Sequence, residues 1–294
     1  MSPVGIVIRS KIKDAIPLAC QIFEWLQSEK REICFDQASH KMLAKKITKT
    51  DFQIVEIEKL AKIADPIVTL GGDGTLIGVA RYVEDSSPIM IGVNFGNLGF
   101  LTEIHPNEAL NALRRVLDGK AEFAERAMIL AEVVRDGQVV FSSQAVNDAV
   151  VQKGVRESLL NLDITVDNKE VMRLRADGVI LATPTGSTAY SLSASGSIVH
   201  PSLEVVLVTP ICPHSLTNRP LILDNSSSIR IKVPDYEGKV YLIIDGQIST
   251  QIIPGDELLI TRAKNKVRFV KSDIKNYFDI LRTKLNWGIA NKSD

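Results

Sequence analysis

The sequence predicts an α/β domain with a doubly wound parallel sheet, followed by a second domain that is mostly β. Up to residue 122, short apolar runs alternate with amphipathic stretches, which is typical of a parallel sheet covered by helices. From residue 123 to 272, short alternating or apolar runs dominate and turn dipeptides join them. Residues 273–294 contain a further helical pattern at 274–285, which we expect to pack back on the first domain.

In the first region, the apolar runs define the predicted elements in order. Strands are expected at residues 4–8, 32–35, 67–70 and 89–94, and helices at 14–27, 75–84 and 106–117. Residues 39–62 are predicted as two helical pieces, the second capped by Asp51.

In the second region, two dipeptides predict tight hairpins. Asp136-Gly137 separates strands 128–135 and 138–141, and Asp167-Asn168 separates strands 162–166 and 170–174. Further strands are expected at 179–182, 205–209, 228–233, 240–244, 258–261 and 267–270.

Composition excludes several classes of protein. The 35 basic residues balance the 35 acidic ones, so a broad nucleic-acid surface is not expected. No apolar run approaches about 20 residues, and the N-terminus resembles a first strand rather than a signal peptide, so no membrane partner is expected.

The three cysteines, Cys20, Cys34 and Cys212, are far apart in the sequence and suggest free thiols in a reducing cytoplasm, hence a cytoplasmic protein. No histidine has a partner at metal-ligand spacing, so no protein metal site is predicted.

The most informative motif is Gly71-Gly72-Asp73-Gly74-Thr75, which lies between an apolar strand and an amphipathic helix. Such a turn lies at the carboxyl edge of an α/β sheet, where ligands bind, and its glycines allow phosphates to approach. It lacks the lysine of a Walker A loop and the spacing of GxGxxG. Because a carboxylate repels phosphate, Asp73 suggests a general base for phosphoryl transfer to a hydroxyl. The alternative is an ordinary turn with Asp73 as a helix N-cap.

Three other stretches have both a functional and a structural interpretation. The glycine-rich block 92–103 either approaches a ligand closely or forms a structural turn. The hydroxyl-rich stretch 177–194 suits phosphate or ribose, with Tyr190 able to stack on a ring, or is a solvated loop. The polar pair Asn147-Asp148 within an apolar strand either fixes ribose hydroxyls and base edges or forms a bulge.

Together these motifs resemble the NAD kinase family, which phosphorylates NAD to NADP, over essentially the whole chain. The resemblance rests on GGDGT, on GxNxGxLGFLTE at 92–103, on Asn147-Asp148 and on DGVILATPTGSTAYSLSA at 177–194. GGDG alone also occurs in lipid kinases and phosphofructokinases, whereas the TPTGSTAYSLSA block is highly specific.

The resemblance implies that NAD binds between the two domains and that Asp73 takes the proton of the adenosine ribose 2′-hydroxyl. It implies ATP as phosphoryl donor, a divalent ion such as Mg²⁺ on the triphosphate, and a homodimer or homotetramer. By the same resemblance, the nucleotide-binding residues are Gly72, Asp73, Gly74, Thr75, Asn147, Asp148, Arg175, Asp177, Thr188, Ala189, Tyr190, Ser191, Leu192, Ser193 and Gln247. Arg175 is the position associated with a preference for NAD over NADH.

Three residues depart from the family pattern, of which Ser158, in place of a larger polar side chain, is assigned no role. Asp148 replaces the usual glutamate, and Ser195 replaces the first glycine of an Ala-Gly-Gly sequence, where a positive φ would strain it. Two other functions remain as alternatives: a lipid or sugar kinase that uses the same glycine loop, and a non-catalytic NAD(P) sensor.

Overall fold

The computed structural model describes residues 2–10, 12–47, 51–84, 87–96, 99–155, 158–215, 217–234, 236–272 and 276–286. The chain divides into two compact units, one formed by residues 1–125 and 267–294 and the other by residues 126–266. None of the helices within these described ranges is long and apolar enough to cross a membrane.

The first unit contains a seven-stranded sheet and seven helical segments, including one short 3-10 helix at Pro106–Glu108, among its described residues. Its strands are β1 (Val4–Ile8), β2 (Ile33–Asp36), β3 (Gln53–Val55), β4 (Ile67–Gly71), β5 (Ile89–Asn94), β6 (Phe123–Arg126) and β19 (Val267–Val270). Its α-helices are α1 (Ala15–Ser28), α2 (Gln37–Leu43), α3 (Ile57–Ile63), α4 (Asp73–Ala80), α5 (Ala109–Leu117) and α7 (Tyr277–Leu285).

The strand order in this sheet is β3-β2-β1-β4-β5-β19-β6. The pairings from β3 to β19 are all parallel. The chain runs outward from β1 to β3 and then returns to place β4 on the other side of β1. The sheet therefore has a topological switch point between β1 and β4, which is where doubly wound sheets open a crevice for ligands.

Apolar strands with helices packed on them form the core of this unit. Every residue of β1 and β4 is buried, as expected for strands covered on both faces. In α1 the buried residues recur at helical spacing: Ala15, Leu18, Ala19, Ile22, Phe23 and Leu26. These residues share one hydrophobic cluster with Ile6, Val68 and Ile91. The core thus fixes the carboxyl ends of β1, β4 and β5 side by side.

The second unit consists of two six-stranded sheets. The strands of one sheet are β7 (Ile129–Arg135), β8 (Gln138–Ala145), β10 (Leu160–Val166), β11 (Lys169–Ala176), β15 (Ile229–Lys232) and β18 (Glu257–Arg262). Their order is β11-β10-β15-β18-β7-β8, and each pairing that the structure gives is antiparallel. The other has the order β14-β13-β12-β9-β16-β17, from β9 (Asp148–Lys153), β12 (Gly178–Ala182), β13 (Val205–Ile211), β14 (Leu221–Asp224), β16 (Val240–Ile244) and β17 (Ile248–Ile252).

Side chains from both sheets share one hydrophobic cluster, which includes Leu162 and Leu258 from the first sheet and Val179 and Leu242 from the second. A 3-10 helix at Thr185–Thr188 and the short helix α6 (Tyr190–Ser193) follow β12. Both predicted hairpins form, with positive φ at the turn residues Asp136, Gly137, Asp167 and Asn168. The prediction of a parallel-sheet domain followed by a β-rich domain is confirmed.

The structure differs from the sequence prediction at several boundaries. Asp51 precedes strand β3 rather than a helix, and Glu56 occupies the N-cap of α3. The strand was missed because β3 has three half-buried or exposed residues and no apolar run. The predicted β-rich region 123–272 included β6 and β19, but both strands belong to the parallel sheet. An apolar run does not reveal which sheet it will join.

The predicted C-terminal segment 273–294 is described only for residues 276–286, which contain α7 within the first unit. Residues 273–275 and 287–294 lie outside the described residues. Ile280 and Leu281 are the buried positions of α7.

Candidate active site

Asp73 is positioned at the carboxyl end of β4 by the turn that links this strand to α4. Gly72 is the N-cap residue of α4, with extended backbone at φ −150°, and Asp73 is the first residue of the helix. A Cβ added at Gly71 would overlap the Thr75 hydroxyl, so this position requires glycine. The turn therefore places a half-buried carboxylate at the edge of the sheet, beside the predicted ligand crevice.

The Asp73 carboxylate accepts four hydrogen bonds from residues 100–102. Oδ1 accepts the backbone N–H of Leu101 at 3.2 Å, the backbone N–H of Thr102 at 2.9 Å and the Thr102 hydroxyl at 2.7 Å. Oδ2 accepts the backbone N–H of Phe100 at 2.8 Å. Oδ2 accepts only this one hydrogen bond from the described residues, and because a carboxylate oxygen can accept more than one, it retains capacity for a further partner.

The glycine block 92–103 approaches Asp73 closely. A Cβ added at Gly99 would overlap both Asp73 Oδ1 and the Thr102 hydroxyl. A Cβ added at Gly92 would lie 2.8 Å from the Thr102 methyl carbon. The glycines therefore let the backbone N–H groups of the loop reach the carboxylate. Asn97 and Leu98 of this block lie outside the described residues.

These contacts bear on the structural interpretations given above for the glycine turn 71–75 and for the block 92–103. Asp73 does not cap its own helix, because its carboxylate accepts hydrogen bonds from residues 100–102 of a different loop. The block 92–103 is a structural partner of Asp73. It fixes the orientation of the carboxylate, which is a requirement for a catalytic base.

The second unit contains a cavity of about 430 Å³ that is lined by both polar and apolar residues. Its lining combines β9, the turn after β16 and the start of α6, and consists of Asn147, Asp148, Val150, Gln152, Ala189, Tyr190, Ile243, Asp245 and Gly246. Four of the predicted site residues thus meet in one cavity: Asn147, Asp148, Ala189 and Tyr190. The size suits a nucleoside-sized ligand.

Asp245 organises the predicted Asn147-Asp148 pair. Its Oδ1 accepts the backbone N–H groups of Asn147 at 2.7 Å and Asp148 at 3.1 Å, and its Oδ2 accepts that of Val146 at 3.2 Å. Its own N–H donates to the carbonyl oxygen of Asp148 at 2.9 Å. Asp245 adopts the left-handed region at φ 49°, which aspartate tolerates better than most residues. Asp245 was not among the residues predicted from the sequence, although Asp245-Gly246 is itself a turn dipeptide.

Asp148 lies buried in the wall of this cavity. Burial raises the pKa of its carboxyl group to about 7, and the nearby charge of Asp245 contributes to the increase. The pKa of the Tyr190 hydroxyl is also raised, first by burial and then by the negative charges around it, including Asp148. Asp148 is therefore partly protonated near neutral pH, and in that form it can donate a hydrogen bond as well as accept one.

Part of the hydroxyl-rich stretch 177–194 supports the fold. The Thr183 hydroxyl donates to the carbonyl oxygen of Val146 at 2.6 Å, and the buried Ser187 hydroxyl donates to that of Pro184 at 2.6 Å. The buried Ser191 hydroxyl lies 2.9 Å from that of Thr209. These hydroxyls satisfy backbone and side-chain groups, so burial and bonding explain much of the composition of this stretch.

The remaining predicted residues do not line the cavity. Asp177 forms an ion pair with Lys153 at 3.0 Å, and Arg175 is exposed on β11. Thr188, Leu192 and Ser193 are half-buried or exposed around α6, Ser191 is buried, and Gln247 is exposed in the turn after β16. Gly72, Gly74 and Thr75 lie in the turn around Asp73, in the first unit.

Val150, Gln152 and Ile243 line the cavity without having been predicted.

Ser195 adopts φ 67°, in the left-handed region. The expected positive φ at this departure from the family pattern is therefore confirmed. The next residue, Gly196, is also constrained, because a Cβ added there would overlap the Ser191 hydroxyl.

A doubly wound sheet with a fixed carboxylate at its carboxyl edge, joined to a β-rich unit with a cavity that contains carboxylate and amide side chains, defines the class of α/β nucleotide-binding proteins. Comparison with known proteins gives the family. The family model described as the ATP-NAD kinase N-terminal domain matches residues 4–121. The model described as the ATP-NAD kinase C-terminal domain matches residues 146–272. The chain belongs to the ATP-NAD kinase family, which confirms the resemblance drawn from its motifs.

Similar proteins cover three quarters of the chain or more. The NAD kinase of Citrifermentans bemidjiense is 42% identical over 289 residues, which are 96% of this chain and 98% of the relative. The NAD kinase of Geotalea daltonii is 46% identical over 225 residues, 76% of this chain and 79% of the relative.

Two solved structures are also similar. The crystal structure of yeast NADH kinase complexed with NADH has a TM-score of 0.89 and 29% identity, covering 100% of this chain and 90% of the yeast chain. An NAD kinase from Archaeoglobus fulgidus in complex with ATP has a TM-score of 0.71 and 23% identity, covering 97% of this chain and 98% of that chain. The second likeness shows the fold.

Proposed function

We propose that this protein transfers the γ-phosphate of ATP to the 2′-hydroxyl of the adenosine ribose of NAD, giving NADP and ADP. The proposal is supported by family membership over nearly the whole chain. The observation that carries the chemistry is the Asp73 carboxylate, oriented by four hydrogen bonds from residues 100–102 and with acceptor capacity left on Oδ2.

In the proposed step, Asp73 Oδ2 accepts the proton of the 2′-hydroxyl as the ribose oxygen attacks the γ-phosphorus. The O–H bond breaks, a new P–O bond forms, and the bond from the γ-phosphorus to the β-phosphate oxygen breaks to release ADP. The proton then passes from Asp73 to solvent. A correctly placed general base is typically worth about 10²–10⁴ in rate. The hydrogen bonds from residues 100–102 contribute by orienting the carboxylate before the substrate arrives.

We propose that Asn147 and Asp148 help to bind NAD. Both residues line the cavity, and the Asp245 carboxylate accepts the backbone N–H group of each. Asp148 is a hydrogen-bond acceptor for a sugar hydroxyl when ionised and can donate one bond when protonated. Its raised pKa means that both forms are populated near neutral pH.

Gly72, Gly74, Thr75, Asp177, Thr188–Ser193 and Gln247 remain proposed nucleotide-binding residues on the basis of family resemblance. Arg175 remains the residue proposed to favour NAD over NADH. A homodimer or homotetramer also remains part of the proposal, because edge strands such as β8 leave backbone groups for pairing.

A divalent ion, Mg²⁺, is proposed to enter with ATP as part of the donor substrate. Among the residues that the structure describes, no group of three or more His, Cys, Asp or Glu side chains is arranged to hold a metal ion. The ion's contribution would be to offset charge on the triphosphate.

A donor–acceptor matrix tests the proposed function. ATP or inorganic polyphosphate is combined with NAD, NADH, diacylglycerol or fructose 6-phosphate, and the product is identified by mass spectrometry. The expected product of ATP and NAD is NADP carrying the phosphate on the 2′-oxygen. The same matrix with Arg175→Gln should raise the share of NADH used relative to NAD. Phosphorylation of the lipid or the sugar but not of NAD, or NAD binding without turnover, would overturn the proposal.

A further inference from the structure

We propose that Arg9 binds the β- and γ-phosphates of the nucleotide donor, at the crevice between the carboxyl ends of β1 and β4. This inference rests on the proposed phosphoryl transfer and assigns a role to a residue that none of the sequence motifs contains. It follows from sheet topology, from the contacts of Arg9 and from the charge of the site.

Topology places Arg9 at the switch point of the parallel sheet. β1 and β4 are neighbours, with Ile8 of β1 opposite Leu70 of β4. Connections leave these two strands in opposite directions across the sheet, since β2 and β3 lie beyond β1 and β5 lies beyond β4. Arg9 is the first residue after β1, and Gly71 is the last residue of β4. The crevice that binds ligands in this type of sheet therefore lies between Arg9 and the glycine turn.

A hydrogen bond and a short distance place Arg9 against this turn. The backbone N–H of Arg9 donates to the carbonyl oxygen of Leu70 at 3.0 Å. A Cβ added at Gly71 would lie 3.2 Å from the Cβ of Arg9. The Arg9 side chain thus begins directly beside Gly71, two residues before Asp73.

The charge at this edge of the sheet requires a cation. A triphosphate is strongly negative, Asp73 adds a further negative charge, and the glycine turn contains no lysine. Arg9 is the one basic side chain among residues 9–10, 71–75, 94–96 and 99–102, which are described segments at the carboxyl ends of β1, β4 and β5. It is exposed, and it forms no ion pair with any described residue.

A guanidinium group suits this position for a chemical reason. It presents a planar set of N–H donors that can bind two phosphate oxygens at once, and it stays charged at every physiological pH. It would offset the repulsion between Asp73 and the phosphates while leaving the carboxylate able to accept a proton.

The test compares donor and acceptor kinetics of the full-length protein carrying Arg9→Ala. We expect the KM for ATP to rise about 10- to 100-fold, the range for losing a hydrogen bond to a charged group, with the KM for NAD changed less than twofold. Arg9→Lys keeps the charge but loses the two-point geometry, so its KM for ATP should lie between those of the wild type and Arg9→Ala. Lys120→Ala is the matched control, because Lys120 is exposed and precedes β6; it should leave both KM values unchanged.

Calorimetry without NAD separates this inference from the proposed function. Arg9→Ala should weaken binding of ATP at least tenfold but binding of AMP less than threefold, since AMP lacks the β- and γ-phosphates. Equal losses for ATP and AMP, equal rises in both KM values, or no change in ATP affinity would overturn the role of Arg9. If the wild type binds ATP in an Arg9-dependent way but makes no NADP, the proposed function fails while the phosphate site stands.

Discussion

Both the side chain and the backbone of Asp245 form hydrogen bonds with the backbone of Asp148. Asp245 Oδ1 accepts the backbone N–H of Asp148 at 3.1 Å, and the backbone N–H of Asp245 donates to the Asp148 carbonyl oxygen at 2.9 Å. The arrangement brings two carboxyl groups close together where Asp148 is 4% exposed. Since Asp245 accepts three backbone N–H groups, its charge is the better stabilised of the two, and Asp148 retains its proton more readily.

Asp148 should make the stability of the protein depend on pH. Burial, and then the charge of Asp245, raise its pKa from 3.8 to about 7, so the folded state holds this proton more tightly than the unfolded state. The resulting stabilisation is fully present below pH 4 and is lost as the pH rises through 7. Asp148→Asn removes this dependence. Its free energy of unfolding relative to wild type should therefore increase between pH 4 and pH 8, by at most about 4 kcal/mol.

Urea unfolding of both proteins at pH 4, 6 and 8 measures this difference. Titrating groups that do not interact with Asp148 are common to the two proteins and cancel in the comparison. A difference that stays constant from pH 4 to pH 8 would show that Asp148 keeps an ordinary pKa in the folded protein.

Asp73→Asn should lower kcat by about 10²–10⁴, the usual contribution of a general base, with NAD still bound. The structure adds a second effect, because the amide nitrogen would face an N–H group of residues 100–102 that now donates to a carboxylate oxygen. An unsatisfied donor of this kind costs about 1–3 kcal/mol, so the melting temperature should fall as well. Steady-state kinetics, calorimetry with NAD and thermal unfolding give the three values.

Thr102→Val separates two roles of Asp73, which are accepting the proton and holding the loop of residues 100–102. It removes the 2.7 Å hydrogen bond to the carboxylate and keeps the volume of the buried side chain. We expect a loss of about 1 kcal/mol in stability and a kcat within tenfold of wild type. If Thr102→Val reduced kcat as strongly as Asp73→Asn, the importance of Asp73 would lie in holding the loop and not in proton transfer.

Gly99→Ala should disable the site by steric overlap. The new methyl group would meet Asp73 Oδ1 and the Thr102 hydroxyl, so either the loop or the carboxylate must move. Overpacking typically costs about 1–3 kcal/mol, and the displaced carboxylate should lower kcat at least tenfold. Gly96→Ala is the control for stability in the same block, because its methyl group would lie 3.7 Å from Asn94 Oδ1, an ordinary contact. Equal melting temperatures for the two variants would contradict the close approach at Gly99.

Ser195→Gly should stabilise the protein. Ser195 is held at φ 67°, and the left-handed region costs a non-glycine residue about 1–2 kcal/mol. Glycine removes this strain but loses more entropy on folding, which leaves a net gain of about 0.5–1 kcal/mol. Ala194→Gly, at φ −89°, relieves no strain and should destabilise by a similar amount. Chemical unfolding measures both changes, and destabilisation by Ser195→Gly would refute the strain.

Local motifs predicted much of the fold and part of the site. The alternation of apolar strands and helices predicted the parallel sheet, and Asp136-Gly137 and Asp167-Asn168 predicted their hairpins, because these signals lie within a few neighbouring residues. The boundary at β19 could not be predicted in this way. Two of its four residues, Arg268 and Phe269, pair with a strand almost 180 positions earlier, and a short apolar run is compatible with either sheet.

The sequence by itself determined the family and identified Asp73 and Asn147-Asp148 as residues of interest, because a charged or polar residue inside a glycine turn or an apolar strand is costly without a reason. Only the tertiary structure decided what surrounds them. It placed Phe100, Leu101 and Thr102 around Asp73 and placed Asp245 beneath the backbone of Asn147-Asp148. It also placed Arg9 beside Gly71. These partners lie about 27 to 100 positions apart in the chain, and their contacts arise from strand order and packing, which no local pattern encodes.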